Sequence, residues 1–294
     1  MSDHRTVDAP VRGGTLRAGI WTPEQDAAQA PTVLAIHGIT ASHLAWQQLA
    51  DALPGHRVIA PDLRGRGRSN TLPGPWGMVS HADDLAALLA TVGVEEPVVV
   101  VGHSMGAFVA VVLAHRHPEL VSRLVLVDGG LPLPLPPGMD PEQAIQAVLG
   151  PAAERLSREF PSERAYLDFW RAHPAFADHW DAALERYLSY DLVGQAPHLR
   201  PATAVEAMVA DSREVQGGAS VAAALAALQH PTVFLRAERG LLDQPEGLYP
   251  AAAVAERAAD LPRFEVREVP GSNHYTIIMA EPGLDAVASA ARTS

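Results

Sequence analysis

Residues 97–115, PVVVVGHSMGAFVAVVLAH, limit what this chain can become more than any other stretch. Four consecutive valines, Val98 to Val101, suit a pleated surface covered on both faces and suit a helix poorly, because branching at Cβ stiffens the side chain. No charge interrupts Phe108 to Leu113, so the helix that follows is expected to be buried on most sides. Between the two runs lie Gly102, His103, Ser104, Met105 and Gly106. A G-x-S-x-G sequence in that context predicts a sharp strand-to-helix turn that holds the serine hydroxyl clear of the sheet. Glycine suits both flanks because the backbone there passes too close to its neighbours for a Cβ. The turn also sets Ser104 at a helix N-terminus, where free N–H groups and the helix dipole favour developing negative charge.

The rest of the chain is arranged around that turn. Residues 6–22 predict two strands about Arg12-Gly13-Gly14. Thr32–Ile36 is a third strand, ending in His37, Gly38, Ile39 and Thr40, with a helix from about His43 to Leu53 and Ser42 as its N-cap. Arg57–Ala60 is the next strand, Leu85–Val92 closes a helix that Gly93 ends, and Leu124–Val127 is a strand running into Asp128, Gly129 and Gly130. Beyond residue 231 come a strand at 232–235, a helix at about 251–261, a strand at 264–269 leading to Gly271, Ser272, Asn273 and His274, and a last helix at about 281–291. This alternation predicts an α/β fold: a mostly parallel sheet of about eight strands, flanked by helices on both faces. In such a sheet sites form at the carboxyl ends of the strands. Ser104, Asp128 and His274 all fall on that edge.

At Leu131 the character changes. LPLPLPPG carries four prolines in eight residues and reads as a rigid exit from the core. Tyr166, Phe169, Trp170 and His173 then recur at helical spacing, as do Trp180, Leu184, Tyr187 and Leu188. Eight of the sixteen aromatics lie between Phe160 and Tyr190. The expected organisation is a core of residues 1–130 and 231–294 with a helical lid inserted at 131–230. Most lid aromatics should pack on one another, and a minority should line an apolar pocket above Ser104.

A serine hydroxyl is a weak nucleophile until a base takes its proton. His103, His115 and His117 are poorly placed for that task, and His37 suits a role in shaping its own loop; His274, after the last strand, is the candidate base. An oxyanion formed at Ser104 needs two N–H donors, one from the residue after the nucleophile and one from the loop after the third strand. Those are Met105 and Ile39. The turn Asp62-Leu63-Arg64-Gly65-Arg66-Gly67-Arg68-Ser69 lacks the spacing and lysine of a phosphate loop and is read as structural.

Composition narrows the chemistry further. With 22 basic and 34 acidic residues the formal charge is −12 and no basic run occurs, which argues against nucleic acid and anionic membrane surfaces as partners. The absence of cysteine excludes disulfides and thiolate nucleophiles. No apolar leader opens the sequence, so a cytoplasmic protein is the expectation.

Four segments together resemble the α/β-hydrolase superfamily over nearly the whole length: His37-Gly38, the turn at 62–69, Gly102 to Gly106, and Ser272-Asn273-His274. The resemblance implies a Ser-His-acid triad with Ser104 and His274, no metal and no organic cofactor. The family's commonest arrangement takes the acid from the loop after the penultimate strand, where this chain has Glu238, Arg239 and Gly240, with Asp243 three residues on. Zearalenone-lactonase-like branches instead take an acid at the position matching Asp128. Glycine at 240 favours Asp128, with Asp243 the alternative and Glu238 behind both. The expected activity is hydrolysis of an ester or lactone of a bulky apolar small molecule through an acyl-enzyme. Thioester release or carbon–carbon hydrolysis would use the same groups, and a non-catalytic small-ligand receptor could retain them. A serine at position 104 argues against epoxide-hydrolase and dehalogenase relatives, which use aspartate there.

Overall fold

The computed structural model describes residues 3–24, 29–133 and 154–292. In chain order the strands are β1 (Asp3–Val11), β2 (Gly14–Thr22), β3 (Thr32–Ile36), β4 (Arg57–Pro61), β5 (Val98–His103), β6 (Val121–Val127), β7 (Leu192–Gln195), β8 (His198–Pro201), β9 (Thr232–Arg239) and β10 (Phe264–Asn273). The helices are α1 (Gln47–Ala52), α2 (Met78–Thr91), α3 (Met105–Arg116), α4 (Glu163–Arg171), α5 (Ala182–Tyr190), α6 (Val205–Val215), α7 (Ala219–Ala226), α8 (Ala251–Ala258) and α9 (Gly283–Arg292). Eight strands form one sheet in the order β1-β2-β4-β3-β5-β6-β9-β10. β1 and β2 are antiparallel, as β2 is to β4; every other pairing is parallel.

Alternation along the central strands builds two cores. Leu34, Ile36, Val98, Val100, Leu124 and Leu126 face the layer that holds α2, α3 and α7. Val33, Ala35, Val101, Val125, Val127 and Leu235 face α1 and α9 on the other side. Every residue of α3 from Met105 to Ala114 is buried, as its uncharged sequence predicts.

Three local expectations need correction. The helix from His43 begins as a 3-10 turn, His43–Trp46, before α1. Ser42 does not cap it: Ser42 Oγ has no hydrogen-bond partner among the described residues, while the His43 N–H goes to Asp62 Oδ1 at 2.8 Å. A carboxylate delivered from the β4 loop has taken the place of the local cap. Thirdly, β9 and β10 run on to Arg239 and Asn273, and those two residues pair, so the last strand ends directly at His274.

Between β6 and β9 the described residues form α4 to α7 and a small antiparallel hairpin, β7 with β8. That hairpin was not expected, since neither four-residue strand carries a β-branched run; Gly194, at φ +96°, helps form it. Phe160, Tyr166, Trp170, Phe176, Leu184, Leu188 and Leu192 make a third apolar cluster in this segment. Most of the proline-rich exit beyond Leu133, and any helix over 140–153, lie outside the described residues.

Candidate active site

Ser104 sits in the expected turn with φ +53° and ψ −123°, a strained conformation for a residue with a side chain. Backbone proximity explains the small residues around it. A Cβ on Gly106 would collide with the Ile36 carbonyl, one on Gly102 with the Gly106 carbonyl, and one on Gly129 with the carbonyl of Ser104 itself. The Ser104 N–H is anchored to the Val127 carbonyl at 3.0 Å. Across from it, a Cβ on Gly38 would lie 3.2 Å from Ser104 Cβ, so the loop after β3 crosses the front of the serine.

Asp128, at the end of β6, is wholly buried. Its Oδ2 accepts from His274 Nδ1 at 2.6 Å and its Oδ1 from the Ala237 N–H at 3.2 Å. This contact puts the His274 proton on Nδ1 and leaves Nε2 as the basic nitrogen. The His274 carbonyl accepts from His103 Nε2 at 2.8 Å, which ties the loop after β10 to the elbow. No hydrogen bond joins Ser104 Oγ to His274 here; such contacts often tighten only with substrate bound. Asp243 is placed elsewhere: Arg239 Nε donates to it at 2.8 Å and Asn273 Nδ2 at 3.1 Å, and it makes no hydrogen bond to His274. Glu238 accepts from the Gly271 N–H at 2.7 Å.

The loop carrying Ile39 is held by a histidine and an arginine. His37 Nε2 accepts from the Leu63 N–H at 3.0 Å, so its proton is on Nδ1, which donates to the Gly38 carbonyl at 2.7 Å. Burial lowers the His37 pKa to about 4 and pushes His103 well below the ordinary histidine range, so both stay neutral near pH 7. Arg66 Nε donates to the Ile39 carbonyl at 2.9 Å. The other arginines of the turn are also engaged. Arg64 makes two bonds to Asp84, at 2.9 and 2.7 Å, and Arg68 lies 4.2 Å over the Tyr190 ring. Asp62 ties the turn to itself, its Oδ2 accepting from the Arg68 N–H at 2.8 Å.

Above Ser104 is a cavity of about 380 Å³ shared by Ser104, His274, Asp128, Ile39 and Met105. Phe108, Leu248, Tyr275 and Ile278 contribute from the core, and Leu133 from just beyond it. From the segment between β6 and β9 come Phe169, Trp170, Tyr187 and Leu188, so three of the eight clustered aromatics reach the cavity. Sequence reading missed a polar group in the same wall. Arg155, almost wholly buried, donates to Tyr166 Oη at 2.6 Å and Asp191 Oδ2 at 2.7 Å and stacks 5.1 Å from the Trp170 ring. In sequence, the alternating charges of Glu154, Arg155, Arg158 and Glu159 look like a solvated helix face, and nothing local marks Arg155 as interior.

A family model described as alpha/beta hydrolase fold matches residues 31–280. Lipase LipV of Mycobacterium tuberculosis is 46% identical over 101 residues, 34% of this chain and 38% of that protein. Protein ABHD8 of Homo sapiens is 34% identical over 115 residues, 37% of this chain and 26% of that protein. The chain thus spans well under half the length of the curated relatives it matches. Among solved structures, E-2-(acetamidomethylene)succinate hydrolase superposes with a TM-score of 0.77 at 23% identity, covering 98% of each chain. The thioesterase domain from the curacin biosynthetic pathway superposes with a TM-score of 0.74 at 21% identity over the whole of both chains. At those identities the structures share a fold.

Proposed function

The chain belongs to the α/β-hydrolase fold family, and from that premise we propose that it is a serine hydrolase cleaving a carboxylic ester or lactone of a bulky apolar small molecule. The observation that carries this reading is the buried 2.6 Å contact between His274 and Asp128 in the wall of the cavity that also holds Ser104. In the proposed reaction His274 Nε2 takes the Ser104 proton as Oγ attacks the carbonyl carbon. Asp128 stabilises the imidazolium that forms. The N–H groups of Met105 and Ile39 receive the oxyanion, and the alcohol leaves with the proton from His274. Water, deprotonated by His274, then attacks the acyl-enzyme and returns Ser104.

Residues 131–230 are proposed to act as a lid whose aromatic wall selects the acyl or ring portion of the substrate. A cavity of about 380 Å³, walled by Phe108, Phe169, Trp170 and Leu248, suits an apolar group larger than acetyl. The test is hydrolysis of p-nitrophenyl esters of increasing chain length, and of macrocyclic lactones, by wild type and Ser104→Ala. Turnover that rises with acyl length and drops by at least about 10³-fold in Ser104→Ala supports the reading. Undiminished turnover in Ser104→Ala sinks it.

A further inference from the structure

The turn at 62–69 connects the oxyanion loop to the helix that walls the cavity. Arg66 is wholly buried and reaches both. Its Nε donates to the Ile39 carbonyl at 2.9 Å, and its Nη2 lies 3.8 Å from Met105 Sδ. Its Nη1 donates to the Arg64 carbonyl at 2.9 Å and pairs with Asp211 Oδ2. Asp211, on α6 and equally buried, also accepts from the Gly77 N–H at 2.6 Å and from His81 Nε2 at 3.0 Å. Burial raises the Asp211 carboxyl, but His81 and Arg66 outweigh it and hold the pKa at about 2, so the pair is ionic. Ser212, Val215 and Gln216, the next residues along α6 and just past its end, line the cavity.

We infer that Arg66 is a positioning residue for the oxyanion site, with Asp211 as the counter-charge that locks it to α6. The assignment rests on the proposed roles of Ile39 and Met105. The hydrogen bonds of Arg66 reach those two residues, and none of them goes to Ser104, Asp128 or His274. Gly38 has no side chain to restrain the loop, so the Ile39 N–H is aimed by what grips the carbonyls on either side of it. His37 holds the Gly38 carbonyl, within the same peptide as that N–H, and Arg66 holds the Ile39 carbonyl. Contact with the Met105 thioether seats the second donor residue against the same guanidinium. Oxyanion donors act by being fixed before charge develops, and losing one costs about 10²–10³ in rate. A planar fork can bond a carbonyl and a carboxylate at once, which a lysine ammonium on a flexible stem does poorly.

The experiment compares Arg66→Met, Arg66→Lys and Asp211→Asn with wild type on p-nitrophenyl butyrate. It adds inhibition by butylboronic acid, which forms a tetrahedral adduct on serine, and by p-nitrobutyranilide as a ground-state mimic. The expected result is a kcat about 10- to 100-fold lower in Arg66→Met and Asp211→Asn, with KM within about threefold. Boronate inhibition should weaken in step with kcat/KM while anilide inhibition stays unchanged, and Arg66→Lys should fall between. Wild-type kcat and boronate affinity in folded variants, or a change confined to melting temperature, overturn the assignment. Should Arg66→Met fail to fold, Arg66→Lys and the isosteric Asp211→Asn decide it on the same readouts. Arg66 variants indistinguishable from wild type beside an inactive Ser104→Ala overturn only the role of Arg66; activity surviving in Ser104→Ala overturns the reaction itself.

Discussion

Asp128 holds φ +45°, a left-handed backbone that a residue with a side chain adopts only when its surroundings compensate. The compensation is visible: its N–H bonds to the Leu235 carbonyl at 2.8 Å, and its two oxygens are divided between the Ala237 N–H and His274. Asp243 shares the left-handed geometry, at φ +59°, but spends its carboxylate on Arg239 and Asn273. If Asp128 orients the base, Asp128→Asn should cut kcat by roughly 10³–10⁴-fold with little change in structure. Asp243→Asn should change it less than about tenfold; the reverse pattern in steady-state rates would move the acid to Asp243. At Gly106 the obstacle is backbone on the facing strand, which cannot rotate away. Gly106→Ala is therefore expected to destabilise the fold by about 1–3 kcal/mol, measured by urea denaturation.

Among the elements, α2 begins without a side-chain cap of its own, because its N-cap residue is Gly77. Two carboxylates on α6 supply what is missing. Asp211 accepts from the Gly77 N–H, and Glu214 Oε2 accepts from the Met78 N–H at 2.8 Å. A capping bond of this kind contributes about 1 kcal/mol, so Glu214→Ala should lower the urea midpoint by that equivalent while leaving ester turnover near wild type. A midpoint unchanged within error would show that α2 and α6 are held by packing alone. Tyr190, on α5, makes a second tie by donating to Asp62 Oδ2 at 2.7 Å. None of these bonds follows from helical periodicity, which reports the face a helix buries and not the element it meets.

For the whole molecule, the buried histidines set the acid limit. His37 titrates near pH 4 when folded and near 6.5 when exposed, so the unfolded chain binds its proton first. Its contribution is complete above about pH 6.5 and disappears as pH falls toward 4. From pH 7 to pH 5 that alone should remove about 2 kcal/mol of stability, and His103, shifted the same way, adds to the loss. Asp62 and Asp211, each held at about 2 against burial by their neighbours, extend the loss below pH 4. Denaturant titrations at pH 7, 6 and 5 check this, and a flat profile would mean the two histidines are not held neutral inside. Among the described residues no helix is long and apolar enough to cross a membrane. The sequence by itself determined the parallel sheet, the elbow and the placement of Ser104 and His274 at the ends of β5 and β10, because valine runs, glycine spacing and strand-end position act within a few residues of one another. Only the tertiary structure decided that Asp128 rather than Asp243 meets His274, that Asp62 replaces Ser42 as a cap, and that Arg66, Asp211 and Arg155 are interior. Each of those depends on a partner 19 to 146 residues away, and a hydrogen bond across that distance leaves no period in the sequence.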